Sequence, residues 1–171
     1  MVKSELKDHP ERGNVEMSIA AITRDLEPTD TDCAVALMER CVPGACREEL
    51  EKLLTKYIGG EDLAVIGYKR LGSGGLLGLA FLTVRGSALG GTFSRTCFVD
   101  EIFVDEEQKD DYYLLPILLS GCANFAKRCG CRSMISCFDA EEYVEQRVRE
   151  DWIFQGEKAV FRYQKDLTDH E

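Results

Sequence analysis

Val99-Asp100-Glu101-Ile102-Phe103-Val104, followed by Asp105-Glu106-Glu107-Gln108-Lys109-Asp110-Asp111, opens the segment that decides the fold. The first six residues are apolar and β-prone with two acids among them, the composition of a strand. The next seven are an acidic loop. Beyond them Leu115, Leu118, Leu119, Cys122, Phe125, Ala126 and Cys129 recur at the spacing of one buried helical face. Lys127-Arg128-Cys129-Gly130 ends that helix, with cations in the last turn and glycine as terminator. Cys131 to Cys137 reads as a second strand, so the whole segment is a β-α-β unit. The helix N-terminus of such a unit is a natural anion site, because its backbone N–H groups are unpaired. Here the turn before the helix holds no glycine: none occurs from Thr92 to Ser120.

Working outward, Ser18 to Thr23 predicts a first strand, and Asp30 or Thr31 can cap a helix to Cys41 that breaks at Val42-Pro43-Gly44. A second helix from Arg47 to Ile58 carries Leu50, Leu53, Leu54, Tyr57 and Ile58 on one stripe. Leu63 to Lys69 and Leu76 to Val84 are strands joined by a glycine-rich turn, Leu71 to Gly75. Gly72-Ser73-Gly74-Gly75 lacks a following helix and a Lys-Ser/Thr pair, so it is a turn and not a nucleotide loop. A further strand covers Arg95 to Val104. Asp139 and Glu142 form a capping box for a helix to about Glu150. Trp152 to Phe154, a turn at Gln155-Gly156-Glu157, and Lys158 to Leu167 predict a closing hairpin. Residues 1–16 and 168–171 read as tails around a single domain, 17–167.

The chain has 171 residues, a formal charge of −10 and eight cysteines. The acidity and the lack of a basic stripe exclude a nucleic-acid binder and favour cationic partners. No apolar run has the length of a membrane span, so no membrane is expected, and residues 1–16 resemble neither a signal nor a transit peptide. The cysteines contain no C-x-x-C pair and several fall on buried faces, so they read as small hydrophobes in a reducing compartment, cytoplasm or nucleus, with no metal. His9 and His170 both lie in the tails, which removes Ser-His, Cys-His and His-metal chemistry.

The unit Asp100-Glu101-Ile102-Phe103-Val104 with Ala126-Lys127-Arg128-Cys129-Gly130-Cys131 resembles the core of the GCN5-related N-acetyltransferases (GNAT), and the order of elements resembles theirs from Ile19 to Leu167. The resemblance implies an α/β (α+β) fold: a mixed, mostly antiparallel central sheet of about six or seven strands flanked by about four helices. It implies transfer of an acyl group from acetyl-CoA to a primary amine, on a small cationic molecule or a basic peptide. The family's Arg/Gln-x-x-Gly-x-Gly/Ala loop falls on Gln108, Lys109, Asp110, Asp111, Tyr112, Tyr113 and Leu114, where glycine is absent in either register. That departure implies the alternative: a GNAT-fold module without catalysis, its acyl-CoA site blocked, that binds a protein partner.

An amine with a Lys-like pKa is mostly protonated at neutral pH, a deficit of about 4 kcal/mol, so transfer needs a base. By the resemblance the base is Glu101 or Asp100, directly or through water. Strand alternation predicts that only one of the two faces the cleft. Also by the resemblance, the backbone of Ile102, Phe103 and Val104 pairs with the pantetheine arm and supplies the oxyanion donor. The family's tyrosine acid, aligned on Phe154, falls on Arg149; Tyr143, earlier on that helix, is the substitute.

Overall fold

In a computed structural model, the described residues are 21–70, 72, 75–87, 93–108, 113–137, 153–157 and 160–166, the last two segments as backbone alone. The elements are β1 (Ala21–Asp25), α1 (Thr31–Cys41), α2 (Arg47–Tyr57), β2 (Leu63–Arg70), β3 (Gly78–Ser87), β4 (Ser94–Val104), α3 (Leu114–Arg128), β5 (Ser133–Cys137), β6 (Ile153–Glu157) and β7 (Val160–Asp166). They pair in the order β1-β2-β3-β4-β5-β7-β6, antiparallel except for β4 and β5.

The expected strand and helix counts need correction. The part of the sheet described with both backbone and side chains is five-stranded and mixed, β1 to β5; β7 and β6 continue it by backbone pairing. Three α-helices flank it among the described residues, not about four. The helix expected over Asp139 to Glu150 lies outside them, as do both expected tails. The closing hairpin is also shifted. Gln155-Gly156-Glu157 is strand and not turn, with Glu157 paired to Val160.

Period-two alternation divides the core between the two faces of the sheet. Ala64, Ile66 and Tyr68 of β2, Ala80, Leu82 and Val84 of β3, and Cys97 and Val99 of β4 pack with the stripe of α3. Val65, Leu79 and Phe81 point the other way, onto Val35, Leu37 and Met38 of α1 and Leu50 and Leu54 of α2. Both faces are covered, which is why β2 is buried continuously from Ala64 to Tyr68. The helix α3 crosses close to β1: a Cβ at Gly121 would stand 2.7 Å from that of Thr23. Gly130 ends α3 as the sequence predicts, at φ +71°. Asp30 stands at the N-cap of α1 without capping it, since its carboxylate is taken by the Glu27 N–H at 2.8 Å and by Arg24.

Candidate functional site

The strand β4 changes character halfway along. From Ser94 to Val99 it is paired on both sides, with β3 and, from Thr96 to Val99, with β5. Opposite Phe81 and Leu82 the register slips by one residue: Leu82 pairs with Val99 and Phe81 with Glu101, so Asp100 is the extra residue of a β-bulge. Pairing with β5 stops at the same place. Cys137 continues β5 and still pairs with Arg162 of β7, but nothing among the described residues of β5 opposes Asp100 to Val104.

The bulge corrects the expectation that one of the two acids must face away. Glu101 is the cross-strand partner of Phe81, which belongs to the α1/α2 face. Asp100 reaches the same face, where Tyr57 at the end of α2 donates its phenol O–H to Asp100 Oδ2 at 3.1 Å. Thr83 of β3 donates a second hydroxyl to the same oxygen. Both carboxylates are exposed. Tyr57 arrives there by helical periodicity, one turn beyond the buried Leu54 on the core stripe, with its ring edge-on to Phe81 at 4.9 Å. Phe103 extends the aromatic row, its ring 5.9 Å from Phe81. Partial burial, then the charges of Asp100 and Glu101, push the Tyr57 phenol above its ordinary range, so it stays protonated at neutral pH.

The unpaired half of β4 also presents backbone groups. The Asp105 N–H donates to Leu77 O at 3.0 Å, so in an antiparallel ladder the alternate residues Phe103 and Glu101 face β3. Ile102 and Val104 therefore aim their N–H and C=O groups away from β3, toward the side β5 has vacated. The Cys41 thiol donates to Val104 O at 3.3 Å, which ties the end of α1 to this edge. On the last paired rung stands Ser136, opposite Val99, its side chain 1% exposed and its hydroxyl without a partner among the described residues.

At the far end of the acidic loop, α3 begins with no side-chain cap. Helical geometry leaves the N–H groups of Leu114 and Leu115 without intrahelical partners, and Pro116 in the same turn has none to offer. The Leu114 side chain is 1% exposed and packs on Gly78, so only its backbone is presented; the Tyr113 side chain is 44% exposed. Asp105 does not face a ligand. It is buried and holds Arg40 of α1 at 2.7 Å and the Glu107 N–H at 3.2 Å. Gln108 closes the loop's first turn with its N–H on Asp105 O at 2.8 Å, and Glu106 and Glu107 are exposed beside it. Lys109, Asp110, Asp111, Tyr112 and Tyr143 lie outside the described residues.

So the structure gathers Asp100, Glu101 and the edge from Ile102 to Val104, and adds Tyr57, Thr83 and Ser136, which the sequence reading did not single out for function. Two carboxylates beside aromatic rings can hold an ammonium group and take a proton from it; two outward N–H groups can bind an extended amide chain. A separate cavity of about 60 Å³ lies between β1 and α3, where Arg128 is already held by Asp25 at 2.7 Å. Among the described residues no cluster of three or more His, Cys, Asp and Glu is placed for a metal, and no helix is long and apolar enough to cross a membrane.

No family model matches the chain, and no curated protein matches it in sequence. Solved structures do match its fold. The aminoglycoside N-acetyltransferase AAC(6')-Iy, solved with the bisubstrate analog CoA-S-monomethyl-acetylneamine, aligns at TM-score 0.62 and 20% identity over 76% of this chain and 87% of its own. A putative GNAT-family acetyltransferase from Desulfovibrio desulfuricans aligns at 0.64 and 14% identity over 87% and 100%. The ribosomal-protein-S18-alanine N-acetyltransferase of Escherichia coli aligns at 0.62 and 14% identity over 88% and 96%. At these identities the likeness lies in the architecture: the chain has the fold of the GNAT acetyltransferases.

Proposed function

We propose that this chain is an acyl-CoA-dependent N-acyltransferase that moves an acetyl group to the primary amine of a small cationic molecule or a basic peptide. The observation that carries the reading is the coincidence at Asp100. Pairing of β4 with β5 ends there, two carboxylates meet on one face there, and from there on the outer edge of β4 has no strand partner among the described residues. The outward N–H groups of Ile102 and Val104 would bind the pantetheine amides by strand addition and one of them the thioester carbonyl. Acetyl-CoA supplies the activated acyl group. Asp100 and Glu101 would hold the ammonium and remove its proton, work worth about 10²–10⁴-fold in rate. The uncapped N-terminus of α3 would meet the diphosphate with the Leu114 and Leu115 N–H groups, assisted by Lys109.

Residues of the phosphate loop support a second reading, a GNAT-fold module that binds a protein partner without catalysis. The loop has no glycine, Glu106 and Glu107 are exposed beside it, and Pro116 removes one donor from the helix end. Like charges near 4 Å cost up to about 4 kcal/mol at an effective dielectric of 20. Calorimetric titration with acetyl-CoA and free CoA separates the two. Micromolar binding, weakened by Val104→Pro, which deletes an outward N–H without touching the ladder to β3, supports the enzyme. No heat at millimolar ligand sinks it and leaves the binding module.

A further inference from the structure

We infer that Tyr57 and Thr83 are positioning residues, which clamp Asp100 through one oxygen so that its other oxygen meets the acceptor's ammonium group, while Glu101 beside it is left to take the proton. The inference rests on the acyltransferase reading. It starts from an asymmetry between two neighbouring carboxylates on one face. Asp100 Oδ2 receives two hydroxyl donors, from the last residue of α2 and from β3. A bulge residue has no opposite number in the ladder, so its side chain is less fixed by the sheet than its neighbours. Here α2 and β3 fix it instead. Two donors on Oδ2 also set the plane of the carboxylate, since each O–H approaches near that plane. Oδ1 is then presented in one orientation at the point where β4 and β5 part.

The surroundings fit a clamp better than a pair of chance surface bonds. The Tyr57 ring is locked edge-on against the buried Phe81, so its hydroxyl is presented by a rigid body and not by a flexible arm. Lys56, the residue before it on the helix, lies 5.7 Å from the centre of the same ring, and Glu101 flanks from β4. Tyr57 carries no charge at neutral pH, so it orients Asp100 without adding a charge of its own to the site.

The test compares the wild-type chain with Tyr57→Phe, Thr83→Val, Thr83→Ser and Asp100→Asn. Acetyl transfer is followed by thiol release with benzylamine, putrescine, spermine and a peptide bearing a free N-terminus. In Tyr57→Phe and Thr83→Val, kcat/KM for the acceptor falls about tenfold, as for loss of one hydrogen bond to a charged group. KM for acetyl-CoA and Tm stay unchanged, and Thr83→Ser recovers the wild-type value. Unchanged acceptor kinetics in both variants overturn the inference. A second measurement needs no activity: NMR titration of ring-labelled tyrosine. The Tyr57 phenol moves down in Asp100→Asn if the clamp exists, and an unmoved phenol overturns the clamp. A wild-type chain that neither binds acetyl-CoA nor releases thiol overturns the acyltransferase reading, whatever the phenol does.

Discussion

The two halves of β4 are built from similar residues and do opposite work. Thr96 to Val99 is held on both edges and buries Cys97 and Val99 against α3; among the described residues Asp100 to Val104 pairs with β3 alone and carries two exposed acids. The first half gives the sheet its continuity from β3 to β5. The second half shows what a strand offers when a neighbour is withdrawn: a row of outward N–H and C=O groups, which are normally a liability and here lie beside the carboxylates. One inserted residue separates the two, so mutations on either side of it should affect different properties.

The largest contrast is between Glu101→Gln and Leu82→Ala. Glu101 is exposed, so its amide variant should keep wild-type stability within about 0.5 kcal/mol while acetyl transfer drops about 10²–10⁴-fold. Leu82, the fully buried partner of Val99, should cost about 2–5 kcal/mol on truncation. Its kcat should survive at temperatures where the chain stays folded. Urea unfolding and thiol-release assays on the two variants measure both quantities; a Glu101→Gln chain that loses as much stability as Leu82→Ala would erase the distinction between the halves.

A smaller effect is expected just beyond the second half, at Asp105. Its carboxylate joins the start of the acidic loop to Arg40 and to the Glu107 N–H, so Asp105→Ala should cost about 1.5–3 kcal/mol, the range for hydrogen bonds to a charged group. The same variant should weaken acetyl-CoA binding, because the loop that carries Glu106 to Gln108 toward α3 loses its anchor. Arg40→Ala should do less, since half of that side chain is already in water. Equal losses from the two would mean that the ion pair alone holds the loop.

The order of elements was legible because apolar periodicity is a local property. The stripe Leu115, Leu118, Leu119, Cys122 is buried as its spacing demands, and the Gly130 terminator needs no distant partner. The bulge was not legible. Val99-Asp100-Glu101 contains no glycine or proline to mark it, and the slip exists only relative to Phe81 and Leu82 on another strand. Simple alternation therefore placed the two acids on opposite faces, and the ladder placed them on one. Tyr57 was visible as a stripe residue with Leu50 and Leu54, but its bond to a carboxylate 43 positions away is a tertiary fact. Leu114 stood in the family's phosphate loop by counting, while its side chain serves the core and only its N–H remains for a ligand.

The smallest effect concerns alkaline pH, and it distinguishes the halves by burial alone. Desolvation pushes the Cys97 thiol, in the paired half of β4, and the Cys122 thiol, on α3 opposite it, far above the ordinary thiol value of 9.0. The folded chain therefore keeps two protons that the unfolded chain releases as pH rises. A raised folded value contributes stability that is complete below about pH 9 and is lost above it, with a slope near 1.4 kcal/mol per pH unit for each thiol. Stability at neutral pH should be flat. Cys97→Ala and Cys122→Ala, each costing something at pH 7 for the lost packing, should then lose less between pH 9 and pH 10.5 than the wild type does. Tyr57→Phe should reduce the slope only above about pH 10, since its phenol starts from a higher ordinary value. An unchanged slope in both cysteine variants would mean that water reaches those thiols in the folded chain, and that the first half of β4 is no better sealed than the second.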